Sequence, residues 1–480
     1  MRNDLKSDCQ KARALASQTI QAKGWTVAGN EWLKYQYKGG KNGYPTLYID
    51  DLGMIPNLDD IAGIEYYQQR ARLRAGNGDL VALTHPLEES YEDYNRKYLG
   101  LGAPTLAVVS NHGYHPLFIT RNLLKDSSLL NRIAVQARSA GGITVHPFIG
   151  STDIWQLARE LNRLKSGEVR MIAPLPEVTE LINDKVEFTG IVKTLLGDDC
   201  LVETEIAYTE DEVLARLKGM ADLYPAVALK MRNYASAMGN IVFESASLRK
   251  LTATEFNNLV KAKLWTINWN HKEPICIVHW YNDILASPSS HLWIPPHGQG
   301  EPIVEGIFEQ LLEGDTKVFA GSKLASLPEQ LKTELTEKTL LLGIFLQELG
   351  YVGRCSFDTI IHGKTLSDAR LEFVECNGRW GGTSLPMTLY KRVFNNKGQF
   401  KYLARDYTDK RLVGAGFQAL MRIFDGKLYD INTGKGCYVL YNAGCLERFG
   451  KFDVMVLGNS DDEIKYRSTE EIAALIDKML

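Results

Sequence analysis

The chain has 480 residues and a formal net charge of −3. That length builds two to four domains with ample core. The near-balanced charge gives no electrostatic basis for binding nucleic acid or an anionic membrane surface. Seven cysteines, an odd number with no CxxC pair, suit a reducing compartment better than a disulfide framework. With no HExxH either, zinc has no support. The polar start MRNDLKSDCQ lacks the apolar core of a signal peptide, and the longest apolar run, around Leu340–Leu346, is too short to span a bilayer. The expected location is the cytoplasm.

Residues 1–44 open with an Ala-rich helical stretch, and a turn cluster follows at Gly39–Pro45. Four short apolar runs come next, PTLYIDDLG, DLVALTHP, PTLAVVS and ITVHPFIG, each ended by Gly, Pro or Asn. Between them Asp59–Ala75 and Leu123–Ala140 read as helices. This alternation predicts a parallel sheet with helices on both faces. Neither GxGxxG nor GxxxxGK[ST] occurs, which argues against an ordinary P-loop nucleotidase. His112 and His115, in NHGYH, read as loop residues rather than a metal site.

Further on, Asp153–Lys165 reads as a helix, and Asn183–Asp184 can cap another that begins at Lys185. A helix over Asp211–Leu223 leads into a strand that ends at Lys230, a small-residue loop at Asn233–Asn240, and a second strand. Small residues let backbone amides approach a phosphate, and a strand-end lysine adds a point charge. Taken alone, the segment reads more readily as a surface hairpin with a solvated lysine. PICIVHWYNDIL is an apolar strand turning polar at Asn282–Asp283, either a core strand or a hinge facing an adenine edge. ASPSSHLWIPPHG reads as a turn-rich loop. Leu331–Leu349 reads as an amphipathic helix closing at Gly350. After Pro386 come a helix, paired strands in GCYVLYNAGCL and KFDVMVLG, and a final helix over Thr469–Leu480.

The chemistry is concentrated in Cys355–Pro386. Strand alternation puts Glu375 and Asn377 on one face and Cys376 on the other. Folding about Leu366–Ser367 sets Asp358 opposite Glu375. Two carboxylates and an amide oxygen make a hard-oxygen cluster suited to Mg²⁺, which also takes substrate phosphates. Arg379 and the amides of Gly381, Gly382 and Thr383 follow, placed to neutralise phosphate charge. Asp358 lies in the apolar run FDTII, where an unpaired carboxylate is costly, so a cation partner is expected. Cys355 and Cys376 are expected to pack in the core.

The order of these pieces resembles the ATP-grasp superfamily: a helix-starting lysine, a strand-end lysine before a small-residue loop, a hinge strand, then Asp358 and Glu375-x-Asn377-x-Arg379-x-Gly381-Gly382. The branch it is most similar to is the pheganomycin-type peptide ligases, which carry a pre-ATP-grasp domain. The residues supporting this are Ala286–Ser289, Gly353–Asp358 and Glu375–Thr383, with Phe148–Thr152 as the family's entry to the nucleotide-binding part. The resemblance covers roughly residues 45–460. It implies an α/β fold, with a Rossmann-like pre-ATP-grasp domain over 1–145. An ATP-grasp part of α+β character follows, with a nucleotide-binding lid over 146–285 and a C-terminal subdomain with the metal site over 286–480.

By position, the resemblance implies that Lys185 and Lys230 contact the nucleotide phosphates. The loop carrying Ser236 and Gly239 covers the triphosphate, and Trp280 and Asp283 meet adenine and ribose. Asp358, Glu375 and Asn377 hold Mg²⁺, and Arg379 meets the transferred phosphoryl group and the carboxylate substrate, with Lys230 sharing in catalysis. Leu385 stands where close relatives often carry His. The implied activity is ATP-dependent joining of a small-molecule or peptide carboxylate to an amine through an acyl phosphate, releasing ADP and phosphate. ATP and Mg²⁺ are the implied cofactors, with no nucleic-acid or membrane partner and with monomer or homodimer left open. A phosphotransferase and a non-catalytic nucleotide-binding scaffold stay open as alternatives.

Overall fold

The computed structural model describes residues 3–25, 30–40, 43–56, 58, 61–234, 239–269, 271–315, 317–394 and 400–478. The first layer is a parallel sheet of β1 (Thr46–Ile49), β2 (Leu80–Leu83), β3 (Thr105–Val108), β4 (Gly142–Pro147) and β5 (Glu168–Met171). Its order is β3-β2-β1-β4-β5. β2 and β4 are buried along their whole length, as apolar runs covered on both faces must be. The order reverses between β1 and β4, so the connections leaving those two strands diverge and open a crevice at their carboxyl ends. The sheet runs on to Met171 and so crosses the boundary expected at residue 145.

Two helices here differ from expectation. The helix expected over 123–140 is two, Ile119–Lys125 and Ser127–Ser139, because Asp126 ends the first and caps the second through Leu129 N (2.9 Å). Within the segment expected as helix over 59–75, the described helix is Ile64–Arg74, a 3₁₀ helix. At three residues per turn, Arg70, Arg72 and Arg74 point in three directions 120° apart, in the sense set by that geometry. Each finds a separate partner: Asp453, Glu92 and Asp50.

The second layer is antiparallel: β6 (Thr204–Ala207), β7 (Ala226–Met231), β8 (Asn240–Glu244) and β9 (Ile275–His279), in the order β6-β9-β7-β8. The helices Glu210–Leu223 and Ala253–Thr266 bury their apolar faces on it.

The third sheet has eight strands: β10 (Pro288–Ile294), β11 (Ile303–Glu313), β12 (Val318–Leu324), β13 (Gly353–His362), β14 (Arg370–Asn377), β15 (Lys401–Thr408), β16 (Tyr438–Tyr441) and β17 (Lys451–Gly458). Every pairing is antiparallel, in the order β14-β13-β10-β11-β12-β15-β17-β16. The stretch read as a turn-rich loop is therefore a buried inner strand, β10. Its polar residues are tolerated because they are bonded: Ser290 Oγ lies 2.8 Å from Thr339 Oγ1, and Ser289 donates to Asp358. The helix Glu329–Glu348 packs over β10 and β11, and the N-terminal helix Asn3–Ala22 packs on that helix. Cys355 and Cys376 lie in this core as expected. No helix among the described residues is long and apolar enough to cross a membrane.

Candidate active site

The β13–β14 hairpin pairs Asp358 with Glu375 and Ser356 with Asn377, the facing that the turn position implied. A bulge follows Asp358, so Thr359 pairs with Phe373. Bulges of this kind re-aim side chains next to functional sites. Asp358 accepts from Ser289 Oγ on Oδ1 (2.6 Å) and from Asn377 Nδ2 on Oδ2 (2.9 Å). Burial, followed by the neighbouring Glu375 charge, raises its pKa above the ordinary carboxylate range. Burial alone would also raise Glu375, but Lys185, Lys230 and Arg379 hold it below its usual value. Adjacent carboxylates are thus driven apart in acidity, with cations gathered round one of them.

Lys185 opens the helix Lys185–Leu196, whose N-cap is Asp184, with Asp184 Oδ1 accepting from Val186 N (2.9 Å). Its ammonium meets Glu375 Oε2 at 3.0 Å and donates to Tyr234 O at 2.7 Å. Arg232 holds the Asp184 carboxylate from the other side. Lys230 is the second-last residue of β7, with its Nζ 5.5 Å from the centre of the Trp280 ring. Burial lowers its pKa, and Glu375 only partly offsets that. The two lysines therefore converge on one carboxylate from different elements.

After β14 the chain passes through 378–383. Gly378 N donates to Asn183 Oδ1 (3.0 Å), and a Cβ at this position would meet Ile182 Cγ2 at 2.4 Å, so glycine is required there. Arg379 donates to Trp380 O (3.2 Å) and has its Cζ 6.0 Å from the Phe148 ring centre. Among the described residues no carboxylate lies within ion-pair distance of it. Burial lowers the Arg379 pKa despite Glu375 and Asp358. Trp380 is clamped between Arg74 (4.3 Å) and Arg354 (4.4 Å) and donates its indole N–H to His146 Nε2 (3.3 Å). Arg74 is paired with Asp50, and Arg354 with Glu305 (Nε to Oε2, 2.7 Å).

A chain of contacts not foreseen from sequence links the carboxylates to this loop. Ser289 Oγ lies 3.3 Å from His291 Nε2, His291 Nδ1 lies 3.4 Å from Ser384 Oγ, and Ser384 Oγ accepts from Gly381 N (3.1 Å). Burial, followed by Arg354 and Lys391, drives His291 down to about 3, so it is a neutral imidazole. The readable signal was the i, i+2 spacing of Ser289 and His291, which share a strand face.

Lys185, Lys230, Trp280, Asp358, Glu375, Asn377 and Arg379 all line one cavity of about 450 Å³. At one end Val202, Val278, Ile360 and Val374 form an apolar slot beside Trp280 and Tyr281. Tyr281 stacks on His362 (ring centres 4.1 Å apart). Asp283 is exposed and is not among the wall residues, although the adjacent Ile284 is. Gly239 accepts from Met231 N (3.2 Å) and is not among the wall residues either. Ser236 lies outside the described residues.

Among the described residues no group of three or more His, Cys, Asp or Glu side chains gathers as a metal cage. The oxygen set is two carboxylates plus an amide oxygen that the Asn377–Asp358 bond leaves unused. That incomplete set fits Mg²⁺, which keeps water or phosphate in its remaining positions.

Residues 68–162 match the pre-ATP-grasp domain family. No curated protein sequence matches the chain. Among solved structures, the chain is similar to an N5-carboxyaminoimidazole ribonucleotide synthetase in complex with ADP (TM-score 0.53, 10% identity, covering 92% of this chain and 100% of that one). The same enzyme from Thermus thermophilus gives TM-score 0.51 at 14% identity, covering 91% and 98%. Biotin carboxylase from Campylobacter jejuni, solved as its β-γ-ATP complex, gives 0.52 at 10% identity, covering 91% and 95%. The chain shares its fold with these nucleotide-bound enzymes, and the segment matching the pre-ATP-grasp domain family lies in its first, parallel-sheet layer.

Proposed function

We propose that this chain is an ATP-dependent carboxylate–amine ligase that forms an amide or peptide bond through an acyl phosphate. The observation that carries the reading is the convergence of two lysines, one arginine, two carboxylates and Asn377 on a cavity with an apolar slot at one end. The slot between Val202, Val278, Ile360 and Val374 suits an adenine, with Trp280 and Tyr281 beside it. Lys185 and Lys230 then face the phosphates. Asp358, Glu375 and Asn377 would hold Mg²⁺, which supplies charge neutralisation at the terminal phosphates when bound. In this reading the β1–β5 unit is the pre-ATP-grasp domain, β6–β9 the lid, and β10–β17 the base.

The chemistry balances with groups at the site and the two substrates. A carboxylate oxygen attacks the γ-phosphorus, the bond to the β-phosphate oxygen breaks, and ADP leaves. Arg379, without a carboxylate partner among the described residues, holds the two anions together and offsets their repulsion. The amine then adds to the acyl carbon. The tetrahedral intermediate expels phosphate, which carries away the proton the amine loses. Lys230, held below the ordinary lysine range by burial, is a cation in a poorly solvated place, where its charge acts strongly on a transferring phosphoryl group.

The experiment is incubation with ATP, Mg²⁺ and mixed amino acids and peptides, followed by ADP assay and mass spectrometry. Amide products with stoichiometric ADP are expected. A phosphorylated acceptor stable to hydroxylamine would refute amide formation. Glu375→Gln should cut ATP turnover roughly 10²–10³-fold; unchanged turnover would show the acidic cluster is misassigned.

A further inference from the structure

Beyond Arg379 the cavity continues into a compartment that the nucleotide does not need. One wall is apolar: Leu52, Ile55, Ile61, Ile64 and Phe148 line it, and they pack with Leu58 and Leu117 into a small cluster. Leu52 and Ile55 lie just beyond the carboxyl end of β1, and Phe148 follows β4 directly. They occupy the topological switch point of the parallel sheet, where open α/β sheets bind their ligands. Phe148 belongs to this wall and also faces the Arg379 guanidinium at 6.0 Å, so the apolar surface adjoins the position assigned to the reacting carboxylate.

The far end is polar and internally balanced. Arg70 Nη2 binds Asp453 Oδ2 (2.5 Å), and Lys451 binds Asp406 (2.6 Å). Tyr67 bridges wall and charges, with the Arg70 Cζ 3.9 Å from its ring centre. Each member of the Arg70–Asp453 pair keeps one buried atom without a hydrogen-bond partner, Nε on the arginine and Oδ1 on the aspartate. Asp453 itself is 2% exposed. The cations here are already engaged, so a phosphate or second carboxylate would find no uncommitted charge in Arg70 or Lys451.

We infer that the carboxylate substrate is an amino acid, or a peptide's C-terminal residue, with an apolar side chain that lies on the Leu52–Ile55–Ile61–Ile64–Phe148 wall. This rests on the ligase reading and narrows it to a substrate class. Such a wall disfavours polar and charged side chains because it offers no partner for the groups it desolvates, and an apolar pocket discriminates by roughly 10–200-fold.

The test fixes the amine and varies the acid. The full chain, ATP and Mg²⁺ are given hydroxylamine as the common amine, so that any acyl phosphate is trapped as a hydroxamate. L-Leucine, L-phenylalanine, L-aspartate, L-lysine and the dipeptides Gly-Leu and Gly-Asp are compared. Hydroxamate formation at least tenfold more efficient with the apolar acids is expected, about the discrimination an apolar pocket gives for small side-chain differences. Equal or better turnover of the aspartate or lysine acids would overturn the inference and leave the ligase reading intact. No hydroxamate from any acid would instead overturn the ligase reading, and the inference with it. Ile61→Ala, a half-buried position, should raise KM for the apolar acid about tenfold with KM for ATP unchanged, folding being checked by thermal unfolding. A parallel rise in both KM values, or none, would overturn the wall assignment.

Discussion

Asp358 shows how one side chain depends on residues far from it in sequence. Its two oxygens are held by Ser289 from β10 and Asn377 from β14, while Glu375 beside it takes the lysine. The charge split between these carboxylates follows from which one the cations can reach. Ser289→Ala removes a hydrogen bond to a charged acceptor worth about 1.5–3 kcal/mol. The expected result is a fall in ATP turnover of about tenfold or more, measured across a Mg²⁺ titration, with the fold retained by circular dichroism. Unchanged turnover would mean Asp358 needs no help from β10. Asp358, Glu375, Asn377 and Arg379 were legible because they fall within one hairpin and the residues after it, where period-two alternation and the turn position decide facing. Ser289 was not, because its partner lies 69 residues away.

At the scale of elements, local sequence misled where tertiary partners satisfied polar groups. β10 carries Pro288, Ser289, Ser290 and His291, a composition that suggests turns. Buried beside β13 and β11, these residues bond to side chains and backbone across the sheet. The 64–74 helix likewise takes 3₁₀ form, with its three arginines reaching three partners on different elements. An α-helix would put Arg70 and Arg74 near one face. The Gly378 turn is the opposite case, set by close packing alone. Gly378→Ala would push a methyl into Ile182 and Asn183 and displace the loop that carries Arg379. Its cost is expected at about 1–3 kcal/mol of stability, read by chemical denaturation, with activity lost beyond what the stability loss explains.

At the scale of the whole molecule, the cavity draws its walls from all three layers, and two buried neutral histidines stand near it, His291 in its lining and His146 of β4 behind Trp380. His146 of β4 accepts from Trp380, and burial with Arg74 and Arg354 holds it well below its usual pKa. His291 is held at about 3 by the same kind of setting. Both have folded values below the unfolded 6.5, so the unfolded chain binds more protons in acid. Their contribution to stability is full above pH 6.5 and is lost as pH falls below it, at up to about 1.4 kcal/mol per pH unit for each. Urea titrations between pH 7 and pH 4 should show this slope, and His291→Gln should flatten it. A slope unaltered by that substitution would place the acid sensitivity elsewhere.

The sequence by itself determined the alternating first domain, the facing of Asp358 and Glu375, and the lysines at the start of a helix and near the end of a strand. These rest on local rules: side-chain period, capping, and turns that close nearby strands. Only the tertiary structure decided that Ser289 and His291 support the acidic cluster, that Asp283 is left exposed outside the cavity wall, and that an apolar wall from the first sheet adjoins Arg379. Those facts depend on which distant elements pack together, which no single segment encodes.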